Sequence, residues 1–397
     1  MLAAVVAVVA AVPMNMTSAE RIRATVARQP VDHVPLCFDG ICHGIVGFLE
    51  ERRATPFDKA RYFLDRGVDT AVTIAPPLVS TRHVEIRRWV EPAGRDPWPL
   101  LHCEYHTPKG VLRQVVRQTP DYPDQVHLFS DHNVPPGRSQ HYLVEGEEDL
   151  AALACVLTPP EGGDLAAFRA EAERCRGFCR QHGLLLSGYL EGVGDPLIWL
   201  SGVERAVLTA LDNPAFLARY ADLIAAWDQA RLTLMLDAGV DIVVRRGWYE
   251  STDFWSPALF RQFFHEPLRR EVNLAHQAGA LFTYVMNSGA MPLLGDFREV
   301  GFDILSNLDP QVAGTDLATV KRELGASMAL CGGVNNNLVL ERGSPAQVRA
   351  AVTEAIATLG PGGGFILAPG DSVLSTEPTA RRNFDLLIDI WREASGV

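Results

Sequence analysis

The sequence predicts an α/β fold: a (β/α)8 TIM barrel with an antiparallel β insertion around residues 80–145. Three observations predict it. From residue 183 onward, apolar strand segments alternate with amphipathic helical segments, the pattern of a parallel sheet covered by helices. With two further strands near the N-terminus there are eight strand segments in 397 residues, which suits a closed barrel better than an open sheet. Between residues 80 and 145 the texture changes to two-residue alternation, the mark of exposed antiparallel strands.

Each element has a local reason. Thr17 and Glu20 form a Thr-x-x-Glu capping box, so a helix is expected over 18–28. DHVPLCFDG, residues 32–40, reads as the first buried strand. Thr55-Pro56 caps and starts the next helix, and Gly67 ends it. VDTAVTIAPP, residues 68–77, is the second strand, stopped by prolines. In the insertion EIRRWVE, LLHCEYHT and VLRQVVRQ alternate, and Pro108-Lys109-Gly110 suits a turn. DLAALACVL and LAAFRAEAERCRGFCRQHG are helical. The later strands are LLLSGYLEG, VDIVVRRG, LFTYVMN, FDILSNL, MALCGGV and GFILAPG. Helices are expected at 201–211, 214–238, 257–278, 291–300, 315–324 and 345–359, the last opened by Ser344-Pro345 with Gln347. There is no internal repeat and no low-complexity linker, so residues 17–397 read as a single domain.

The N-terminus is separate. Leu2–Val12 is apolar but too short to span a bilayer, and no basic residue precedes it as in a signal peptide. Met14 and Met16 follow, so residues 1–16 are read as a non-native extension; a signal or membrane-surface role is the alternative.

Composition narrows the function. Apolar residues at 47% and charged residues at 21% indicate a globular chain with ample core material. A net charge of -12 argues against nucleic acid or an anionic membrane as partner, because both need clustered cations. Seven cysteines, an odd number in a long chain, fit a reduced cytoplasmic enzyme better than a disulfide scaffold. Cys37, Cys42 and His43 cluster near one strand end, but their spacing matches no strong zinc pattern. Cys175 and Cys179 share a helix face, and the spacing is wrong for a redox pair.

In a barrel of this kind the chemistry gathers where strands run into the loops that follow them. Those ends offer Asp39 and His43 after strand one, Glu191 after strand three, and Arg245, Arg246, Trp248, Tyr249 and Glu250 after strand four. Tyr284 and Asn287 follow on strand five, Asn335 on strand seven and Asp371 on strand eight. Glu250 and Asp371 are the acid–base candidates, and the others are candidate substrate-binding residues. Arg245 and Arg246 are neighbours on a strand, so at most one enters the basin as a carboxylate anchor. Its partner is expected to pack against a carboxylate under the helices. Tyr284 reads equally as core, Glu250 as a cap or ion-pair residue, and Asn335–Asn337 as a turn.

ERIRATVARQPVDHVPL, LSGVERAVLTALDNPAFLARYADLI, SPALFRQFFHEPLRREVNLAHQAGA, GDFREVGFDILSNLDP and DLATVKRELGASMALCGGVNNNLVLERGSPAQVRAAV together resemble the uroporphyrinogen decarboxylase family. The resemblance runs over residues 17–395 and is weakest over 78–145. It implies a (β/α)8 barrel and one of two chemistries. One branch decarboxylates the acetate arms of uroporphyrinogen without a cofactor; the other moves methyl groups between corrinoid proteins and a thiol, using zinc. The decarboxylase branch carries paired arginines after strand one, where PLCFDGICHGIVGFLE has no cation, and a Gly-His-Gly near residue 371, where Gly370-Asp371-Ser372 stands. That branch also carries an Asp at the end of strand two, where this chain reads TIAPPLVS. The methyltransferase branch carries zinc on a His-x-Cys-Gly and a later Cys; here Met286-Asn287-Ser288-Gly289 and Asp371 occupy those places, so the family's zinc ligands are absent. The resemblance therefore implies a divergent, methyltransferase-like enzyme acting on a small polar or methylated substrate. Uroporphyrinogen decarboxylation and a non-catalytic barrel binding a ligand or a corrinoid protein are the alternatives, and homodimerisation is left open.

Overall fold

The computed structural model describes residues 15–396 apart from residues 53, 80–83, 95, 121–124, 136 and 313. The described strands are β1 Ala71–Ile74, β2 Glu85–Glu91, β3 Leu100–Thr107, β4 Gly110–Arg117, β5 Ser139–His141, β6 Leu185–Leu190, β7 Ile242–Arg246, β8 Leu281–Val285, β9 Ile304–Leu308, β10 Ala329–Val334 and β11 Phe365–Pro369. The fold class is the expected one, α/β of the TIM type with a separate antiparallel four-stranded sheet. The chain divides into two compact units. Residues 1–14, most of the expected N-terminal extension, lie outside the described residues. No described helix is long and apolar enough to cross a membrane.

The first unit runs to Val72 and adds Gly177–Leu185 and the chain from Asp303. It opens with the helix Ser18–Val26, whose Thr17–Glu20 capping box forms as expected. Arg21 on that helix donates to Asp32 at 2.6 Å and to Asp69 at 2.6 Å, fixing the helix to the chain on both sides of the Leu36–Cys37 segment. Strands β9, β10 and β11 run parallel, and every residue of β10 is buried. Gly332 carries a bulge there: at φ +137°, a Cβ would lie 2.4 Å from the Leu308 carbonyl oxygen. The expected first strand differs. Only Leu36 and Cys37 pair, in parallel, with Leu367 and Asp69. Pro35 lends its carbonyl to Leu367 N at 2.8 Å but has no N–H to extend the ladder.

The second unit comprises Thr73–Arg176 and Leu186–Phe302. Strands β6, β7 and β8 run parallel, with Leu190 beside Arg245 and Arg245 beside Tyr284. The expected insertion is the antiparallel sheet β2-β3-β4-β5, where Trp89 faces His102 and Cys103 faces Gln114. One face of this sheet is core: Leu101, Cys103, Tyr105, Leu112 and Val116 are buried. Two helices depart from expectation. The helix expected over 201–211 runs Val203–Asp212, and an unexpected helix, Gly194–Ser201, precedes it; the two are separated at Gly202, where a Cβ would meet the Tyr142 ring at 2.4 Å. The helix expected over 257–278 contains a π turn, Arg261–His265. Pro267 has no N–H to return to Phe263, and the wider turn accommodates its ring.

Replacing Gly332 with Ala forces a methyl group against the Leu308 backbone in a conformation that L-residues avoid. The expected loss in unfolding free energy is about 2 kcal/mol or more, read from denaturant midpoints; an unchanged midpoint contradicts this close approach.

Candidate functional site

In the second unit the ends of β6, β7 and β8 carry the charged residues. Arg245 and Arg246 point to opposite faces, as strand geometry requires. Arg245 is wholly buried: Nε donates to Glu271 on the helix Glu266–Gln277 at 2.9 Å, and Nη1 donates to Glu250 and to the Arg246 carbonyl oxygen at 2.8 Å. Glu250 was placed by sequence among the acid–base candidates; the structure puts its carboxylate inside. Its Oε1 accepts from Val193 N at 3.1 Å and Gly194 N at 3.0 Å. Its Oε2 accepts from Arg245 and from the Tyr284 hydroxyl at 2.7 Å. Glu250, Arg245 and Tyr284 are each fully buried, so they brace the strand ends and present no surface to a substrate. The sequence showed an acid after two aromatics; it did not show that the tight turn Trp248–Glu250 swings that acid inward. Burial pushes the Tyr284 phenol far up. Burial also raises Glu271 to about 8, since one guanidinium serves two carboxylates.

Arg246 lies on the other face. Its Nε donates to Asp195 at 2.9 Å, and its guanidinium sits 4.4 Å from the Trp199 ring centroid and 4.2 Å from that of Trp248. Asp195 also accepts from Tyr249 N at 3.1 Å, and burial raises it to about 7 despite the guanidinium. Exposed Asp131 accepts from Trp199 Nε1 at 2.8 Å and from the Tyr249 hydroxyl at 2.9 Å. Burial works against the charge of Arg246, but Tyr189, Asp195, Glu191 and Asp131 hold its pKa above the usual value.

Glu191 ends β6 facing this group. It is 8% exposed and makes no hydrogen bond with a described residue, and burial raises its pKa, opposed by Arg246 and Arg231. The turn behind it is fixed. Gly192 has φ +73°, a Cβ there would lie 2.4 Å from the Arg246 carbonyl oxygen, and its N–H donates to Asp228 at 2.7 Å. Asp228 in turn holds the buried Arg231 at 2.9 Å. Asp131, Asp195, Trp199 and Asp228 were missed by sequence reasoning. Three of them come from helices and one from the insertion, and the strand-end rule does not reach either. Asp195-Pro196 at a helix start was the one usable signal.

At the end of β8, Asn287 is half-buried and Met286 fully buried. Gly289 turns at φ +62°, and its carbonyl accepts from the Thr252 hydroxyl at 2.7 Å. A buried thioether and a hydroxyl are a poor donor set for zinc. Among the described residues, no group of three His, Cys, Asp or Glu could hold a metal ion. The donors here do not fit the zinc that the family resemblance implies.

The first unit holds Asp39, His43, Asn335 and Asp371. Asn335 donates to Asp309 at 2.7 Å and caps the π turn Asn336–Glu341 by accepting from Leu338 N at 2.6 Å. Asn307, buried and at φ +65°, donates to the His43 carbonyl oxygen at 2.9 Å. Asp371 accepts from Ser372 N at 2.6 Å, and Ser372 Oγ accepts from Ile45 N at 3.0 Å. Burial raises Asp39 to about 6, against the pull of Lys59. Below it, Cys42 lies 3.7 Å from Cys37, sulfur to sulfur. Hydrogen bonds with Cys331 and Cys37, then burial, drive the Cys42 thiol well above its usual range, as befits an inert core residue.

Comparison with known proteins bears out the family resemblance over the C-terminal part of the chain. The family model for uroporphyrinogen decarboxylase (URO-D) matches residues 199–393. No curated protein sequence matches. Among solved structures, the chain resembles a methyltransferase from Methanosarcina mazei at 18% identity, covering 96% of this chain and 99% of that one, with a TM-score of 0.57. It also resembles a B12-independent methionine synthase from Shewanella sp. W3-18-1 at 11% identity, covering 91% and 97%, with a TM-score of 0.48. At such identities the likeness to the first concerns the fold.

Two outcomes follow from the buried charges. Tyr284→Phe removes one donor from an enclosed carboxylate and should cost about 1–3 kcal/mol in denaturant unfolding, with m unchanged. Asp195 takes up a proton on folding, because its folded pKa of about 7 exceeds that of a free carboxyl. Its contribution is full below the ordinary carboxylate range and is lost as pH rises through about 7. Asp195→Asn should therefore flatten the fall of melting temperature over that window; an unaltered slope would show that Asp195 does not titrate there.

Proposed function

Residues 199–393 belong to the uroporphyrinogen decarboxylase family, and from that premise we propose that this chain is an enzyme of its methyltransferase-like side, acting on a small polar or methylated substrate. One observation carries the reading. Each of the buried arginines of the second unit already has its own carboxylate: Arg231 has Asp228, Arg245 has Glu250 and Glu271, and Arg246 has Asp195. The Glu191 carboxyl makes no hydrogen bond with a described residue. Of these arginines only Arg246 faces the site, and a polyanion gains little there, because each added carboxylate would compete with Asp195 for a cation already paired. This disfavours uroporphyrinogen and favours a substrate with at most one negative group.

Glu191 is the acid–base residue of this proposal, in the place first given to Glu250. A buried carboxyl with no hydrogen bond and a raised pKa holds or releases a proton closer to neutrality than a free one. Arg246, gripped between Trp199 and Trp248, offers its outer edge as the single anionic contact. Trp248 and Tyr249 line that side. Asp371 stays in the proposal as an acid–base candidate, and Asp39, His43, Asn287 and Asn335 as polar residues of their own strand ends. A corrinoid protein as methyl carrier belongs to the same reading, through the family. So does a reducing cytoplasmic setting, in which the cysteines are free thiols.

The test is turnover by the purified protein offered methylcobalamin with small thiols, and separately uroporphyrinogen. Methyl transfer without uroporphyrinogen decarboxylation is expected. Glu191→Gln should cut kcat about 100-fold or more with little change in KM, and remove a pH limb lying above the ordinary carboxylate range. Full activity in Glu191→Gln removes it from the mechanism. Decarboxylation of uroporphyrinogen overturns the substrate class, and binding without turnover in any arm favours a non-catalytic barrel.

A further inference from the structure

Strand β2 is an edge strand of the antiparallel sheet, and all but one of its residues are exposed. Its sequence is Glu85-Ile86-Arg87-Arg88-Trp89-Val90-Glu91, so Ile86, Arg88 and Val90 share one face and Glu85, Arg87, Trp89 and Glu91 the other. On the neighbouring β3 the first face is core, since Leu101, Cys103 and Tyr105 opposite Val90, Arg88 and Ile86 are buried. That core face runs off the edge of the sheet: Val90 is still 50% exposed. On the second face Trp89 stacks on His102, with ring centroids 4.7 Å apart, yet stays 41% exposed. Beyond the strand Trp98 is exposed as well. Among the described residues no strand pairs with the outer edge of β2, and an edge carrying apolar groups on both faces is a template for another strand.

We propose that β2 is the seam of a homodimer, pairing antiparallel with β2 of a second copy about a two-fold axis through Trp89. The charge pattern selects both occupant and register. With Trp89 opposite Trp89, each Arg87 faces Glu91 of the other copy and each Arg88 faces Val90. Shifting the axis to Arg88 sets Arg88 on Arg88 and Glu85 on Glu91, like charges directly opposed. Edge charges ordinarily deter pairing. Here they alternate in sign and are complementary to themselves, as an isologous contact requires. Within one chain Arg87 donates to Glu85 at 2.9 Å and Glu91 meets His102 at 3.0 Å. The Arg87–Glu85 pair is exposed and worth little, so exchanging it across the seam costs little, while Glu91 meets buried His102 through Oε2 alone and keeps its other carboxylate oxygen for Arg87 of the second copy. The pairing joins two four-stranded sheets into one continuous sheet and covers Val90 and Trp89. This inference stands on the edge strand alone and is independent of the proposed chemistry.

Sedimentation velocity on the full chain tests it, with far-UV circular dichroism to confirm folding. Wild type should sediment as a dimer across a dilution series. Arg87→Glu or Glu91→Arg alone should shift it to monomer, and the two together should restore the dimer. Val90→Pro, which removes an edge N–H or crowds the seam, should also yield monomer. A monomeric wild type, or a dimer untouched by the single charge reversals, overturns the proposal.

Discussion

The carboxylate of Glu250 accepts four hydrogen bonds, and the second unit's strand ends depend on it. Val193 and Gly194 bring in the turn after β6, Arg245 brings in β7, and Tyr284 brings in β8. One buried anion thus ties three consecutive parallel strands where they leave the sheet. Burying a charge this deeply is tolerable only when its lone pairs are satisfied and a cation is adjacent, and both conditions hold. Arg245 passes the connection outward to Glu271 and so to a covering helix.

The arrangement separates buried support from the candidate site within one dipeptide. Strand pleating sends Arg245 under the helices and Arg246 to the other face, where two indoles clamp it. The same division appears after β6. Gly192, Val193 and Gly194 give their N–H groups to Asp228 and Glu250, while Glu191 immediately before them gives nothing. A carboxylate held in place by its neighbours' backbone, and not by its own hydrogen bonds, keeps its proton-binding capacity for a ligand.

Much of this was legible in the sequence, and the limits have physical causes. Hydrophobic alternation located the strands, Thr17 with Glu20 and Ser344 with Gln347 gave true capping boxes, and the pleat of a strand separated Arg245 from Arg246. The short first strand was not legible, because DHVPLCFDG has strand composition throughout while only Leu36 and Cys37 pair. The close approach of the Tyr142 ring to Gly202 was hidden too, since Tyr142 is distant in sequence. For the site, strand ends gave Glu191 and Arg246. Nothing local distinguished Glu250, an acid turned inward, from an acid turned outward, and Asp195 and Asp228 sit on helices whose surroundings only the fold determines.

The Glu250 brace takes none of its bonds from Glu191, Arg246 or the residues at Met286 and Ser288. Its components are backbone N–H groups, one guanidinium and one phenol, all sealed from water. Groups outside this frame can therefore be exchanged without cutting any of its four hydrogen bonds. That independence offers a physical reason why this architecture tolerates a methionine and a serine at Met286 and Ser288: the bonds that tie the strand ends do not pass through either side chain.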